Sequence, residues 1–535
     1  MTLSRPAVGR VTSVLVLSVA LVMSSCKSDP NLPETWDKRI AGAKNTKEKV
    51  KVVEELRASK HMSAAMVPML EKRLGDEKKP DVKASIARVL GEAKQASSID
   101  PLAEAIDPAA TDSDAKNLNK EIALALGKIG DAKAVNPLTK LLKVKDNFTV
   151  IAAIEGLGNL KAKEAFDPLY AIATDDAIEP FITKKAIVAL GDIGDPRCVP
   201  GVVQAMFKER KGVSFYMESS FALYQIGAPA ADALVPVVEG KDKALLEWAG
   251  KNNIKDVALY AKGTQVLGDL HDRRAEKKIV EYLNFKSDFD DIKLIMRMRA
   301  ADALGRMRSK EGVKPLAALL DEVEANARKE YVWALARIGG KDAVAKLVET
   351  SGKGPWGARE ESMRGVAMLG DDPAAFDKFA AAEQKLFEAE CKEDPDMDEC
   401  KDVAGSVKKH VEKINTYKAR ATAAAECKAD AKCWAKHLDS KDEGTRERAA
   451  YEIGRSGDAS QVDELMKRLT EKNLDTRLAI IQGADWLIDD SKDAMAQARK
   501  SLPALEKQVA DEKGKTEFVK VNEDLRRLLA KLQRG

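Results

Sequence analysis

Apolar residues along this chain recur at intervals of three and four, as in Ile122, Ala123, Leu126 and Ile129. That spacing lines one face of a helix. Most of these stretches close on one phrase, Ala-Leu-Gly-x-Ile-Gly-Asp, and continue as x-x-Ala-Val-x-Pro-Leu. The clearest copy runs from Ala125 to Leu142. Others occupy 156–169, 189–203, 222–238, 266–283, 303–320 and 334–348, with weaker ones at 89–102, 366–379 and 452–466. The equivalents of Gly127 are Gly91, Gly158, Gly191, Tyr224, Gly268, Gly305 and Ala336, at spacings of 36, 31, 33, 33, 44, 37 and 31 residues. A period near 33 predicts two helices of about 11–14 residues joined by short turns.

The punctuation agrees with that reading. Gly130, Gly194, Gly227 and Gly339 stand where a first helix must end in a left-handed residue. Asp131 and Asp195 can cap the helix that follows, and Pro196 fits a first helical position, where an N–H is not needed.

These copies resemble the HEAT-like repeat family, in the variety also found in phycobilisome linker lyases, over about residues 33–375 and 441–490. The resemblance implies an all-α fold, a right-handed α-α superhelix in which each pair of helices is stable only when stacked on its neighbours. It leads us to expect an extended arc whose contour is the working surface. The 44-residue interval holds 240–260, read as a lengthened helix or extra turn. The largest break, 379–439, reads as an inserted helical hairpin, with an acidic loop (EDPDMDE) before a long helix from Cys400 towards Ala425. A charged final helix over 516–533 is expected to cap the array.

Ahead of the repeats, Arg5 and Arg10 precede an uncharged, mostly apolar run from Val11 to Met23. It is shorter than a comfortable bilayer span and has the form of an export signal. Ser24, Ser25 and Cys26 follow, and resemble a bacterial lipobox with Met23 in place of the common Leu. The resemblance implies diacylation of Cys26, which would become the mature N-terminus; the alternative is plain secretion after another small residue. Lys27 and Ser28 lack the Asp that marks inner-membrane retention in enteric bacteria, which favours the outer membrane. The division expected is signal peptide 1–25, lipidated Cys and tether 26–32, repeats 33–378, hairpin 379–439 and C-terminal repeats with capping helices 440–535.

Composition narrows the function. Lys and Arg total 89 against 86 Asp and Glu, so the basic excess that a nucleic-acid binder needs is missing. With aromatics at 5%, Ala and Leu carry the apolar content, which suits close-packed helices. The four histidines, His61, His271, His410 and His437, are scattered and none precedes Glu. The His-Glu pairs that bind iron in the helical-repeat deoxyhypusine hydroxylases are therefore absent. No cofactor, metal or catalytic residue is expected, and the work is read as that of a protein-binding scaffold, with a membrane contact through the lipid; the alternatives are a ligand- or peptide-sensing adaptor that uses the Cys-containing hairpin 379–439, and a lyase or hydrolase with an unrecognised site.

The cysteines other than Cys26 fall into two clusters, Cys391 with Cys400 and Cys427 with Cys433, plus a lone Cys198. An exported chain meets an oxidising compartment. Three pairings are open, and 391–400 with 427–433, each closing a short loop, is favoured. Asp394, Asp396 and Asp398 imitate a calcium loop, but Glu399 and Gly405 occupy the places that need Gly and Glu, so a solvated turn is the better reading. Lys133, Lys163, Arg197, Arg274, Lys310 and Lys341 recur at the start of the second helix. Stacked in register, they would form a cationic ridge facing an acidic partner or anionic head groups; the alternative is a solvated edge. Trp356, in a Gly/Pro-rich turn, either anchors a partner or packs under its own loop.

Overall fold

The structure is a computed structural model that describes residues 29–322, 325–515 and 519–534. The export signal and Cys26 lie outside the described residues. The chain divides into two compact units, one ending at Ile129 and one beginning at Gly130.

The first unit holds α1 (Pro33–Gly42), α2 (Thr46–Ala58), α3 (Val67–Asp76), α4 (Pro80–Ala93), α5 (Ile99–Glu104) and α6 (Ser113–Ile129). Here α2, α4 and α6 are successive first helices and pack side by side. A Cβ placed on Gly91 would lie 2.6 Å from the Cα of Ala125, so glycine is what lets α4 and α6 approach.

The second unit continues the plan. It runs through α7 (Val135–Leu141), α8 (Asn147–Asn159), α9 (Phe166–Thr174), α10 (Pro180–Ile193) and α11 (Val199–Phe207). A two-residue antiparallel hairpin, β1 (Glu209–Arg210) with β2 (Val213–Ser214), leads to α12 (Tyr216–Ile226) and α13 (Ala228–Val238). The long interval holds an extra helix, α14 (Lys243–Lys251). Then come α15 (Asp256–Asp269), α16 (Glu276–Tyr282), α17 (Asp290–Arg306), α18 (Val313–Ala318), α19 (Ala325–Ile338), α20 (Val344–Thr350) and α21 (Trp356–Leu369). Close approaches recur: a Cβ at Gly191 or Gly268 would sit 2.7 Å from the Cα of Ala222 or Ala303. The left-handed position after the first helix is Gly at 130, 194, 227 and 339, and Lys161, His271 and Arg308 fill it in other repeats.

The hairpin is α22 (Ala374–Glu393) and α23 (Val403–Cys427). It is continuous with the stack: α23 packs between α21 and α25 (Glu443–Ser456) and buries Ile414, Tyr417, Ala421 and Ala424. After α24 (Ala431–His437) and α25 come α26 (Val462–Met466), α27 (Leu474–Asp490), α28 (Lys492–Ala498), α29 (Leu502–Glu512) and α30 (Val519–Arg534).

Two expectations need correction. The second unit is not an open arc, because its C-terminal quarter folds back on residues 224–370. Trp486 Nε1 donates to the Arg306 carbonyl at 2.9 Å, Arg448 donates to the carbonyls of Ala367 and Gly370 at 2.5 and 2.6 Å, and Arg455 donates to that of Ala336. Each acceptor lies at the C-terminal end of a first helix (α17, α21, α19), where carbonyls lack an intrahelical partner and the dipole favours a donor or cation. Second, the last helix is no cap. Helix α30 packs against α12 and α27, with Val521, Leu525, Leu528 and Leu532 at most 2% exposed. Its apolar stripe is too complete to be left facing water.

Candidate functional site

In the second unit, the faces of the first helices turned away from their partners form an inner surface, and α30 lies on it. Arg306, on α17, sits at the centre. Its guanidinium meets Asp302 at 3.1 Å, Asp524 of α30 at 3.2 Å and Asp269 of α15 at 3.5 Å. Arg337 of α19 closes on Asp302 at 2.5 Å, and Arg527 of α30 reaches Asp269 at 3.0 Å. A turn further along α30, the Lys531 ammonium lies 2.5 Å from Asp485 and 2.8 Å from Asp489 of α27. His271 Nδ1 is 2.6 Å from Asp489, and Arg308 grips Asp490 at 2.8–2.9 Å. His271 and Arg308 both stand at the left-handed position that elsewhere is glycine, which aims them at α27. Finally, Arg534 donates to the carbonyls of Tyr224 and Gln225 at 2.6 and 3.2 Å, over Gly227 at the end of α12.

These charges hold one another ionised. Burial alone would raise the carboxyls of Asp302 and Asp524, but the neighbouring guanidiniums hold both below the usual carboxylate range, Asp302 far below it. Burial would likewise lower Arg306, and Asp524, Asp302 and Asp269 instead raise it well above its ordinary value. Lys531 is raised against its burial by Asp485 first. Such a network is costly to desolvate and costlier to break, so it specifies which helix lies here more than it adds net stability.

The residues singled out from sequence are spread more widely. Cys391 is bonded to Cys400 and Cys427 to Cys433. Cys427, Cys433 and His437 lie close enough for a metal, but the sulfurs are already joined to each other. Cys198 is buried, which pushes its thiol up to about 12.

Lys133, Lys163, Arg197, Arg274, Lys310 and Lys341 are all exposed, in the turns that enter the second helices. Three of the six are paired with carboxylates. Arg197 is held by Asp195 at 2.7 Å, Arg274 by Asp272 at 2.7 Å and Asp232 at 2.5 Å, and Lys341 by Asp371 at 2.5 Å. The cause is local. The Asp that caps the turn accepts the backbone N–H of the residue two places on (Asp131 from Lys133, Asp195 from Arg197, Asp272 from Arg274), and for the two arginines this sets its carboxylate beside the guanidinium.

Trp356 is not in a turn; it opens α21. Its ring stacks on His410 of α23, with centroids 3.7 Å apart, and Phe387 meets the same imidazole edge-on at 4.9 Å. His410 Nδ1 lies 3.0 Å from Glu383, which accepts from Arg359 at 2.7 Å, and Arg359 also reaches Glu390 at 2.8 Å. This cluster fastens the hairpin to the start of α21.

The family model described as HEAT repeats matches residues 67–153, 105–181 and 290–367. No curated protein matches the chain. Among solved structures it is similar to human deoxyhypusine hydroxylase in complex with glycerol, at 20% identity, covering 51% of this chain and 95% of that one with a TM-score of 0.22. It is similar also to the CpcE–CpcF complex of phycocyanin lyase from Nostoc sp. PCC7120, at 21% identity, covering 48% and 95% with a TM-score of 0.28. A third likeness is to Kap95p bound to RanGDP, at 10% identity, covering 94% and 81% with a TM-score of 0.42. The segments 67–153, 105–181 and 290–367 of this chain are HEAT repeats, set in an all-α stack.

Proposed function

We propose that this protein is an exported, lipid-anchored scaffold of the bacterial envelope whose repeats bind a protein partner. The observation that carries the reading is α30 itself: the inner surface of the second unit holds a helix, using side chains from α15, α17 and α27 and backbone carbonyls at the end of α12 together. A surface built that way recognises helices, and its work is binding instead of turnover. Export rests on the basic and apolar start and on Cys26, whose acyl chains would anchor firmly at roughly 0.8 kcal/mol per buried methylene. The two disulfides fit an oxidising compartment. Among the described residues no helix is long and apolar enough to cross a membrane. The lack of Asp after Cys26 favours the outer membrane.

Cross-linking in intact envelopes followed by purification tests this, with mass spectrometry of the mature N-terminus. A stable complex and an acylated Cys26 are expected. A chain that keeps residues 1–25, fractionates with the cytoplasm and captures nothing would end the reading.

A further inference from the structure

We propose that α30 is a displaceable ligand of the inner groove, and that the groove's partner is a basic amphipathic helix supplied by another protein. The inference rests on the scaffold reading above and adds the partner's chemistry and the way access to it is controlled.

Three observations lead there. The first is how α30 is seated. Val521, Leu525, Leu528 and Leu532 face the groove, while Val519, Lys520, Arg526, Gln533 and Arg534 stay exposed. The helix therefore lies in an open trough and is not threaded through the stack. Lys513, Gly514 and Lys515, which follow α29, are exposed as well. The second is charge. On the array side Asp269, Asp302, Asp485 and Asp489 outnumber Arg306 and Arg337, and α30 answers with Arg527, Lys531 and Arg534 against Asp524. Without α30 the trough is acidic, and only a helix bringing cations at these places neutralises it. The third is the nature of the hold. Buried ion pairs return little beyond their own desolvation, so the charges select a pattern while the hold itself comes from Val521, Leu525, Leu528 and Leu532, an apolar stripe that a competing amphipathic helix can replace. A tethered occupant at millimolar effective concentration then keeps weak ligands out and yields to a better match.

The test uses the full chain with a protease site substituted at 514–517, cleaved after folding. The probe is a labelled peptide of residues 519–534. The uncut chain should bind it at least about tenfold more weakly than the cut chain, because the tethered helix competes. Binding to the cut chain should weaken with added salt and vanish for a probe carrying Arg526→Glu, Arg527→Glu and Lys531→Glu.

Several results overturn the proposal. A cut chain that never exchanges its helix for excess probe shows a fixed element. One that unfolds once the helix is diluted away shows core. Cut chains that pair with each other make the partner a second copy. An envelope partner captured equally by cut and uncut chains sinks this inference and leaves the scaffold reading standing; no partner for either sinks both.

Discussion

Two seams in the second unit are built on opposite principles. Between successive first helices the seam is glycine against alanine, as at Gly191 with Ala222 and Gly268 with Ala303. Its centre is small and apolar and is repeated from copy to copy, with ion pairs such as Lys184–Glu218 and Arg337–Asp302 only at its margins. Between the array and α30 the seam is guanidinium against carboxylate, and each of its contacts is made once. The first suits an interface that never opens, because close backbone approach gains dispersion that no other pairing replaces. The second suits one that must choose its occupant. The comparison teaches that in this molecule permanence is written in small residues and selectivity in buried charge.

The largest effect expected falls at the charged seam. Arg306→Ala removes the cation shared by Asp302, Asp524 and Asp269, leaving Arg337 and Arg527 to answer three buried carboxylates, and should cost about 3–5 kcal/mol, read from the shift in urea midpoint. The same seam sets a pH dependence. Asp302, Asp524 and Asp489 are held below the usual carboxylate range. Their contribution is complete above an unfolded pKa of about 4 and is lost as pH falls through the folded values. Lys531 is raised, so its contribution is present below about pH 10 and lost above it. Asp192 and Glu523, raised by burial, run the other way and offset a little of the acid loss. Hydrogen-exchange protection over 519–534, referred to the intrinsic rate at each pH, should therefore fall on acidification before protection in α15 or α17 does. Simultaneous loss would mean that the two seams open as one.

Next comes the small-residue seam. Gly268→Ala places a methyl 2.7 Å from the Cα of Ala303 and should destabilise by about 1–3 kcal/mol through overpacking. This holds although alanine is the better helix former by about 1 kcal/mol. Gly250, in α14, is the control, since nothing lies within 4 Å of a Cβ there. Gly250→Ala should stabilise by about 0.5–1 kcal/mol. If both changes shift thermal unfolding the same way, close approach is not what glycine is for in this stack.

The two seams also differ in how far the sequence discloses them. Gly191 and Ala222 hold fixed places in adjacent copies of one phrase, so register alone brings them together, and the stack follows from counting. Arg306 and Asp524 are 218 residues apart, and Arg534 and the Tyr224 carbonyl 310. No repeat relates them, and no local rule does. Two signals were nevertheless present. A cap needs only one covered side, yet Val521, Leu525, Leu528 and Leu532 form an unbroken stripe with Asp524 and Lys531 at its edge. His271 and Arg308 replace glycine at a left-handed position, which is conformationally expensive unless the side chain has something to reach. Both marked the seam without naming its partner. The ridge is the reverse case: the spacing of its cations is plain in the sequence, while the pairing of Arg197 and Arg274 follows from the second use of Asp195 and Asp272, which cap the turn and also meet the guanidinium.

These surface pairs give the smallest effect. Arg197 pairs with Asp195 on the surface, and Lys341 with Asp371. Exposed pairs contribute about 0–1 kcal/mol and are screened by salt. Arg197→Ala and Lys341→Ala should each leave the unfolding midpoint essentially where it is, with no change in capture of a partner. Asp195→Ala should cost more, near 1 kcal/mol, because it removes the cap on the Arg197 N–H along with the ion pair. A larger loss on removing either cation than on removing Asp195 would show that the turns depend on the cations, and the edge would then regain its claim to be a binding surface in its own right.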